Sequence, residues 1–167
     1  MKKIILSLFM ICIAGAVSAQ DWTEESIAGI LTVEFPGTVT ASENQGMAVK
    51  QSFSDKYVAV VQTTSLGEDA DAIMGEDLDI LYDSVVEGMM GSMYTAGDSK
   101  EEDIMIGNLK GRKVIHTVKM TETQEVPVQT VLLITQNRVI SFSYIELVET
   151  GDSSDRDRFF NSIKLAK

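Results

Sequence analysis

VQTVLLIT at residues 128–135, QNR at 136–138 and VISFSYIEL at 139–147 make up the stretch on which the fold turns. Both flanking runs are dense in Val, Ile, Phe and Tyr, residues that fit a pleated, half-buried surface. Three polar residues between them leave room only for a tight reversal. The stretch therefore predicts a β-hairpin with a short loop at 136–138.

Outward from this hairpin the period-two alternation recurs. Leu31, Val33 and Phe35 alternate with Thr32 and Glu34 until Pro36-Gly37 breaks the run, which predicts a half-buried strand. Met47, Val49, Gln51 and Phe53 alternate with Ala48, Lys50 and Ser52, and the polar Ser54-Asp55-Lys56 leads into the apolar run 57–63, a second hairpin. Ile104-Met105-Ile106 and residues 113–120 predict a third, joined through Asn108-Leu109-Lys110-Gly111 with Gly111 supplying a positive φ. Residues 99–103 read as an acidic loop, and Asp21 to Ser26 as a mobile lead or short helical turn in which Trp22 is the residue able to dock.

Between the hairpins the period changes. Met74, Leu78, Leu81, Tyr82, Val85, Met89 and Met93 fall three and four apart, predicting one long helix over about 68–94. Gly75 permits a later start at Glu76, since glycine costs a helix interior up to about 1 kcal/mol relative to alanine. At the C-terminal end Ser154-Asp155-Arg156-Asp157 has the form of a capping box, followed by an apolar face of Phe159, Phe160 and Ile163 on a short closing helix. The predicted class is α+β: a mainly antiparallel sheet of about six strands in hairpins, covered by the long helix and the C-terminal one.

This order of elements, with the Thr32-Val33-Glu34-Phe35-Pro36 opening strand, the Gly111 turn before 113–120, the paired strands up to Tyr144 and the closing Phe159-Phe160-Asn161-Ser162-Ile163-Lys164, resembles the PsbP-like superfamily, which includes the extrinsic photosystem II protein and DcrB-type lipoproteins. The resemblance spans nearly all of the chain after residue 19. It implies an α+β sandwich and a protein that acts by binding partners. It carries over no catalytic residue, because members share a fold and not a reaction.

Residues 1–19 have the three parts of a cleavable export signal. Lys2 and Lys3 open it, a run over 4–17 interrupted only by Ser7 forms the apolar stretch, and Val17-Ser18-Ala19 places small residues at the cleavage site. Cleavage after Ala19 leaves one domain, 20–167, destined for the periplasm or the extracellular space. A permanent anchor needs about 20 apolar residues, so no stable membrane insertion is expected after cleavage. Acylation of Cys12 is disfavoured by the bulky Phe9-Met10-Ile11 before it, and the cysteine leaves with the signal.

Without the signal, 12 basic residues face 25 acidic ones. Nucleic acid and anionic lipid both require clustered Lys and Arg, so nucleic-acid binding is excluded. Lacking cysteine, residues 20–167 can hold no disulfide, thiolate metal site or cysteine nucleophile.

Residues 68–103 contain twelve carboxylates against the single base Lys100. Glu76, Asp79, Asp83 and Glu87 recur three or four apart on the predicted helix, a spacing at which like charges repel with no lysine on the helix to relieve them. Together with Trp22 they are the candidate binding residues, for a basic partner or a weakly held divalent cation. The acids do not fit a calcium loop, since the fifth and twelfth residues from Asp69 are Ile73 and Ile80. His116, the one histidine, lies on a predicted strand face with Val114, Val118 and Met120, and no Gly-x-Ser-x-Gly or His-Glu-x-x-His motif accompanies it. Met74, Met89, Met90 and Met93 at helical spacing read as core filler rather than copper ligands. No cofactor is expected. The expected function is an exported, non-enzymatic binding domain for an unidentified protein or small molecule, and its rivals are a small secreted hydrolase and a cation binder using the acidic helix.

Overall fold

A computed structural model describes residues 21–44, 46–66, 76–92, 98–148 and 152–167. In chain order the elements are β1 (Trp22–Ile27), β2 (Leu31–Pro36), β3 (Thr40–Asn44), β4 (Met47–Phe53), β5 (Tyr57–Ser65), α1 (Glu76–Ser92), β6 (Lys100–Ile106), β7 (Leu109–Lys119), β8 (Glu125–Thr135), β9 (Arg138–Glu146), α2 (Ser154–Asn161) and β10 (Lys164–Leu165). The class is α+β as expected, but ten strands stand among the described residues where about six were predicted.

All pairings are antiparallel, in a seven-stranded sheet of order β3-β4-β5-β9-β8-β7-β6 and a three-stranded sheet of order β1-β2-β10. The chain leaves β5 near the middle of the large sheet and re-enters at its far edge, β6. Helix α1 lies on this crossing and packs over β7 and β8. The small sheet and α2 cover the opposite face. There the main core forms, with Leu31, Val33 and Phe35 from β2 against Leu133, Phe142 and Phe159. A smaller core under α1 consists of Tyr82, Val86, Val114 and Leu132.

The β8–β9 hairpin closes more tightly than its three polar residues implied. Thr135 already pairs with Arg138, so the loop is Gln136-Asn137 alone, both with positive φ of 47° and 59°. These are the dihedral signs of a type I′ turn, whose twist matches that of the strands it joins.

Four expectations are corrected. Residues 22–27 are not a lead or helical turn but strand β1, paired with β2 from Trp22 opposite Pro36 to Ile27 opposite Leu31. Their own pattern is too polar to announce a strand, and β2 supplies the missing partner. The acidic 99–103 segment is largely the first half of β6, an edge strand, where charge guards against further pairing. Gly111 is no turn residue. It sits buried inside β7 opposite Leu133, and a Cβ there would lie 2.6 Å from Leu133 Cδ2 and 2.9 Å from the Leu132 carbonyl oxygen. Glycine is required for close approach, while the positive φ of the β6–β7 turn belongs to Gly107 at 60°. Finally, the α2 cap is shifted by one residue. Ser153 is the N-cap, its hydroxyl 2.9 Å from Asp157 Oδ2, and Asp152 Oδ1 accepts from the Ser154 amide at 2.9 Å. Of the helix predicted over about 68–94, α1 accounts for 76–92; residues 68–75 and 93–94 lie outside the described residues.

Candidate functional site

On the main-core face, α2 and β10 stop short of the edge of the large sheet. The gap is an open groove of about 760 Å³ between β6, β7 and β8 on one side and α2 with β10 on the other. Its apolar surface includes Ile104, Ile115, Val131, Phe160 and Leu165, of which Ile115 and Leu165 are 39% and 38% exposed. The β6–β7 turn closes one end against β10, since a Cβ on Gly107 would meet Leu165 Cδ1 at 2.7 Å.

Charge lies along the walls. Arg156 is bonded to Glu146 at 2.8 Å and to Asp157 at 3.2 Å, while Lys164 is bonded to Glu24 at 2.6 Å. Lys113, opposite Val131 in register, has Glu102 as its nearest carboxylate at 3.9 Å. Tyr144 lines the groove, stacked on Tyr57 with centroids 5.5 Å apart. Burial, with the nearby Asp155 second, pushes its phenol well above the usual range, so it stays protonated at neutral pH. Among the described residues no Ser, Thr, Cys or His lines this groove. It offers apolar contact and salt-bridged charge.

The acidic helix candidates are placed elsewhere. Asp79 and Asp83 face β7, where Lys110 and Arg112 meet them. Lys110 lies 2.5 Å from Asp79 and 3.2 Å from Asp103; Arg112 bonds Asp83 and lies 3.5 Å from both Glu101 and Asp103. The expectation that no base relieves these acids is therefore corrected, because the bases come from a neighbouring strand. The hydrogen bond from Lys110 holds the Asp79 carboxyl below its usual range, and the same contact with a second to Asp103 raises the Lys110 ammonium. Glu87 is exposed on α1, and the Glu76 side chain lies outside the described residues. No group of three His, Cys, Asp or Glu side chains among the described residues has a metal-holding arrangement.

Trp22 is drawn neither to the helix nor to the groove. It packs against the main core from β1, with the Arg158 guanidinium 4.2 Å from its ring centroid and that same guanidinium bonded to Glu34 at 2.8 and 2.9 Å. Met89 and Met90 pack against the smaller core as filler, while Met74 and Met93 lie outside the described residues.

His116 shares the α1 face of β7 with Val114, is 3% exposed, and neither ring nitrogen has a hydrogen-bond partner among the described residues. Burial lowers its pKa below the usual 6.5. The unfolded chain thus takes up a proton as pH falls below about 6.5 while the folded chain does not, so this contribution is intact above that pH and lost on acidification. The slope reaches at most about 1.4 kcal/mol per pH unit. His116→Leu should flatten the stability profile between pH 6.5 and 5, measured by urea unfolding; an unchanged slope would show the ring is not the titrating group.

The sequence reading missed the groove because its lining comes from six elements distant in the chain. One local signal was available: β7 is apolar at Val114 and also at Ile115, on its opposite face, so both faces of the strand are occupied.

No family model matches the chain, and no curated protein matches it. Several solved structures are similar. The solution structure of cyanobacterial PsbP (CyanoP) from Synechocystis sp. PCC 6803 superposes with a TM-score of 0.58 at 12% identity, covering 91% of this chain and 96% of that one. A Pseudomonas aeruginosa protein of unknown function, PA94, gives a TM-score of 0.45 at 12% identity, covering 84% and 91%. The chain has a PsbP-like fold.

Proposed function

We propose that this chain is an exported, non-enzymatic binding domain that presents the α2–β10 groove to a partner. Residues 1–19 direct export and are removed after Ala19, and residues 20–167 act as one domain in the periplasm or outside the cell. The observation that carries the reading is an open groove with partly exposed apolar floor residues. The PsbP-like resemblance, which implies action through partners, points the same way. Within the described residues no helix is long and apolar enough to cross a membrane.

The acidic face of α1 belongs to the fold in this reading. Asp79 and Asp83 are occupied by Lys110 and Arg112, which leaves those two acids little capacity for a cation or a basic partner. A small hydrolase is the alternative to be tested. The exported protein is expected to show no turnover of ester, phosphate, glycoside or peptide substrates, and turnover abolished by His116→Ala would overturn the reading.

A further inference from the structure

Three cations line the groove, and two are already matched. Arg156 is shared between Glu146 and Asp157 at 2.8 and 3.2 Å, and Lys164 holds Glu24 at 2.6 Å. Lys113 differs. It occupies a position on the main-core face of β7, opposite Val131 and two residues from Ile115, where an apolar side chain would otherwise fit. Its nearest carboxylate, on the 69% exposed Glu102 side chain, is 3.9 Å away, beyond hydrogen-bond range. An ammonium beside an apolar floor, held only loosely by the exposed Glu102 opposite it on β6, is complementary to an anion carried on an apolar ligand.

The shape of the site selects the kind of ligand. An acyl chain gains most from an enclosed apolar cavity, whereas this groove is open along its length and carries the amides of Gln129 and Asn161 in its walls. It also runs to the 104–106 end of β6, beyond the acidic half that guards the strand, where the outer backbone edge pairs with no strand among the described residues. An extended peptide can use that edge for main-chain hydrogen bonds, and a lipid cannot.

We propose that the groove binds an extended peptide segment of a partner protein, whose alternate apolar side chains lie on Ile104, Ile115 and Phe160 and whose single carboxylate pairs with Lys113. This rests on the groove being the binding site. The carboxylate sets which segments are accepted; the apolar floor and the β6 edge hold the chain.

Fluorescein-labelled peptides SVTETVTV, SVTQTVTV and SVTKTVTV, in which the tested residue shares a face with the valines, titrated by anisotropy against the exported protein, test it, with amide chemical shifts locating the contact. The glutamate peptide is expected to bind about fivefold tighter than the glutamine one at low salt, as a charge-assisted bond at a partly exposed site allows, and the lysine peptide more weakly still. Lys113→Met should bring the glutamate peptide down to the level of the glutamine peptide, while Lys119→Met, outside the groove, should leave the difference intact. Equal binding of the glutamate and glutamine peptides at the groove would overturn the Lys113 pairing and leave the groove reading standing. Laurate binding without peptide binding would overturn the peptide class. Shifts confined to residues outside the groove, or no saturable binding by any of the peptides or laurate, would overturn both the pairing and the groove as the binding site.

Discussion

Phe159→Ala should remove about 3–5 kcal/mol of stability, the range for deleting a fully buried aromatic ring. Helix α2 has eight residues, and Phe159 is the one it buries completely. Its ring centroid lies 5.5 Å from Phe35 on β2, 5.9 Å from Tyr144 on β9 and 5.1 Å from Phe160, so this side chain joins the two sheets through the helix. An isolated helix of that length does not hold its conformation in water, and α2 therefore depends on this anchor. Truncation leaves a cavity between sheets that are each fixed by their own hydrogen-bonded ladders and cannot readily collapse into it. A typical domain has only about 5–15 kcal/mol in reserve, so the variant should unfold far earlier in urea. Trp22 reports the change directly, because Arg158 of α2 lies over its ring. A loss below about 1 kcal/mol at unchanged denaturant slope would mean that α2 is held by other contacts.

Tyr82→Phe should cost about 2 kcal/mol, although it deletes a single oxygen atom. The Tyr82 hydroxyl donates to the Lys110 carbonyl oxygen at 2.8 Å and accepts from the Ile134 amide at 3.0 Å. The β7–β8 register begins with Gly111 opposite Leu133, so Lys110 and Ile134 are where the next rung would stand. The hydroxyl takes the place of that rung and ties α1 to both strands. Phenylalanine would leave two backbone groups unsatisfied under the helix, and stranded polar groups of this kind cost more than an average hydrogen bond contributes. The surrounding ion pairs between α1 and β7 cannot compensate, because the acids in them are half or more exposed and such pairs contribute little. Hydrogen exchange should quicken in α1 and at Ile134 and leave the β2–α2 region unchanged. Uniform quickening throughout the chain would show that α1 has no separate stability.

The two kinds of periodicity made much of this molecule legible. Alternation at Leu31, Val33 and Phe35 marked β2, and the Val, Ile and Phe runs on either side of Gln136 marked β8 and β9, because a strand that buries one or both faces writes that burial into its own residues. The helical spacing of Leu78, Tyr82, Val85 and Met89 marked α1 for the same reason. Where an element owes its conformation to a partner, the local pattern is silent. The polar 22–27 segment is a strand because β2 lies beside it, and β6 is a strand through its acidic half because β7 pairs with it. Gly111 was identifiable as a special position, but whether it provided a turn or a close approach depended on Leu133, which lies 22 residues further along the chain.

The candidate site divides the same way. Charge spacing along one helix placed Asp79 and Asp83 on a common side, a property of 3.6-residue geometry alone. Their neutralisation by Lys110 and Arg112 arises from the docking of α1 on β7, and no window around residue 80 contains it. The groove is a stronger case, since β6, β7, β8, β9, α2 and β10 each contribute side chains that are unremarkable in their own segments, and Lys113 becomes distinctive only when it lies opposite Val131 beside an open wall. The set of faces that must leave water is written in consecutive residues, because hydrophobic periodicity is a local property of the chain. Which of those faces stays partly uncovered, and which charge is held only loosely there, emerges on folding, because both are differences between surfaces that meet from distant parts of the chain.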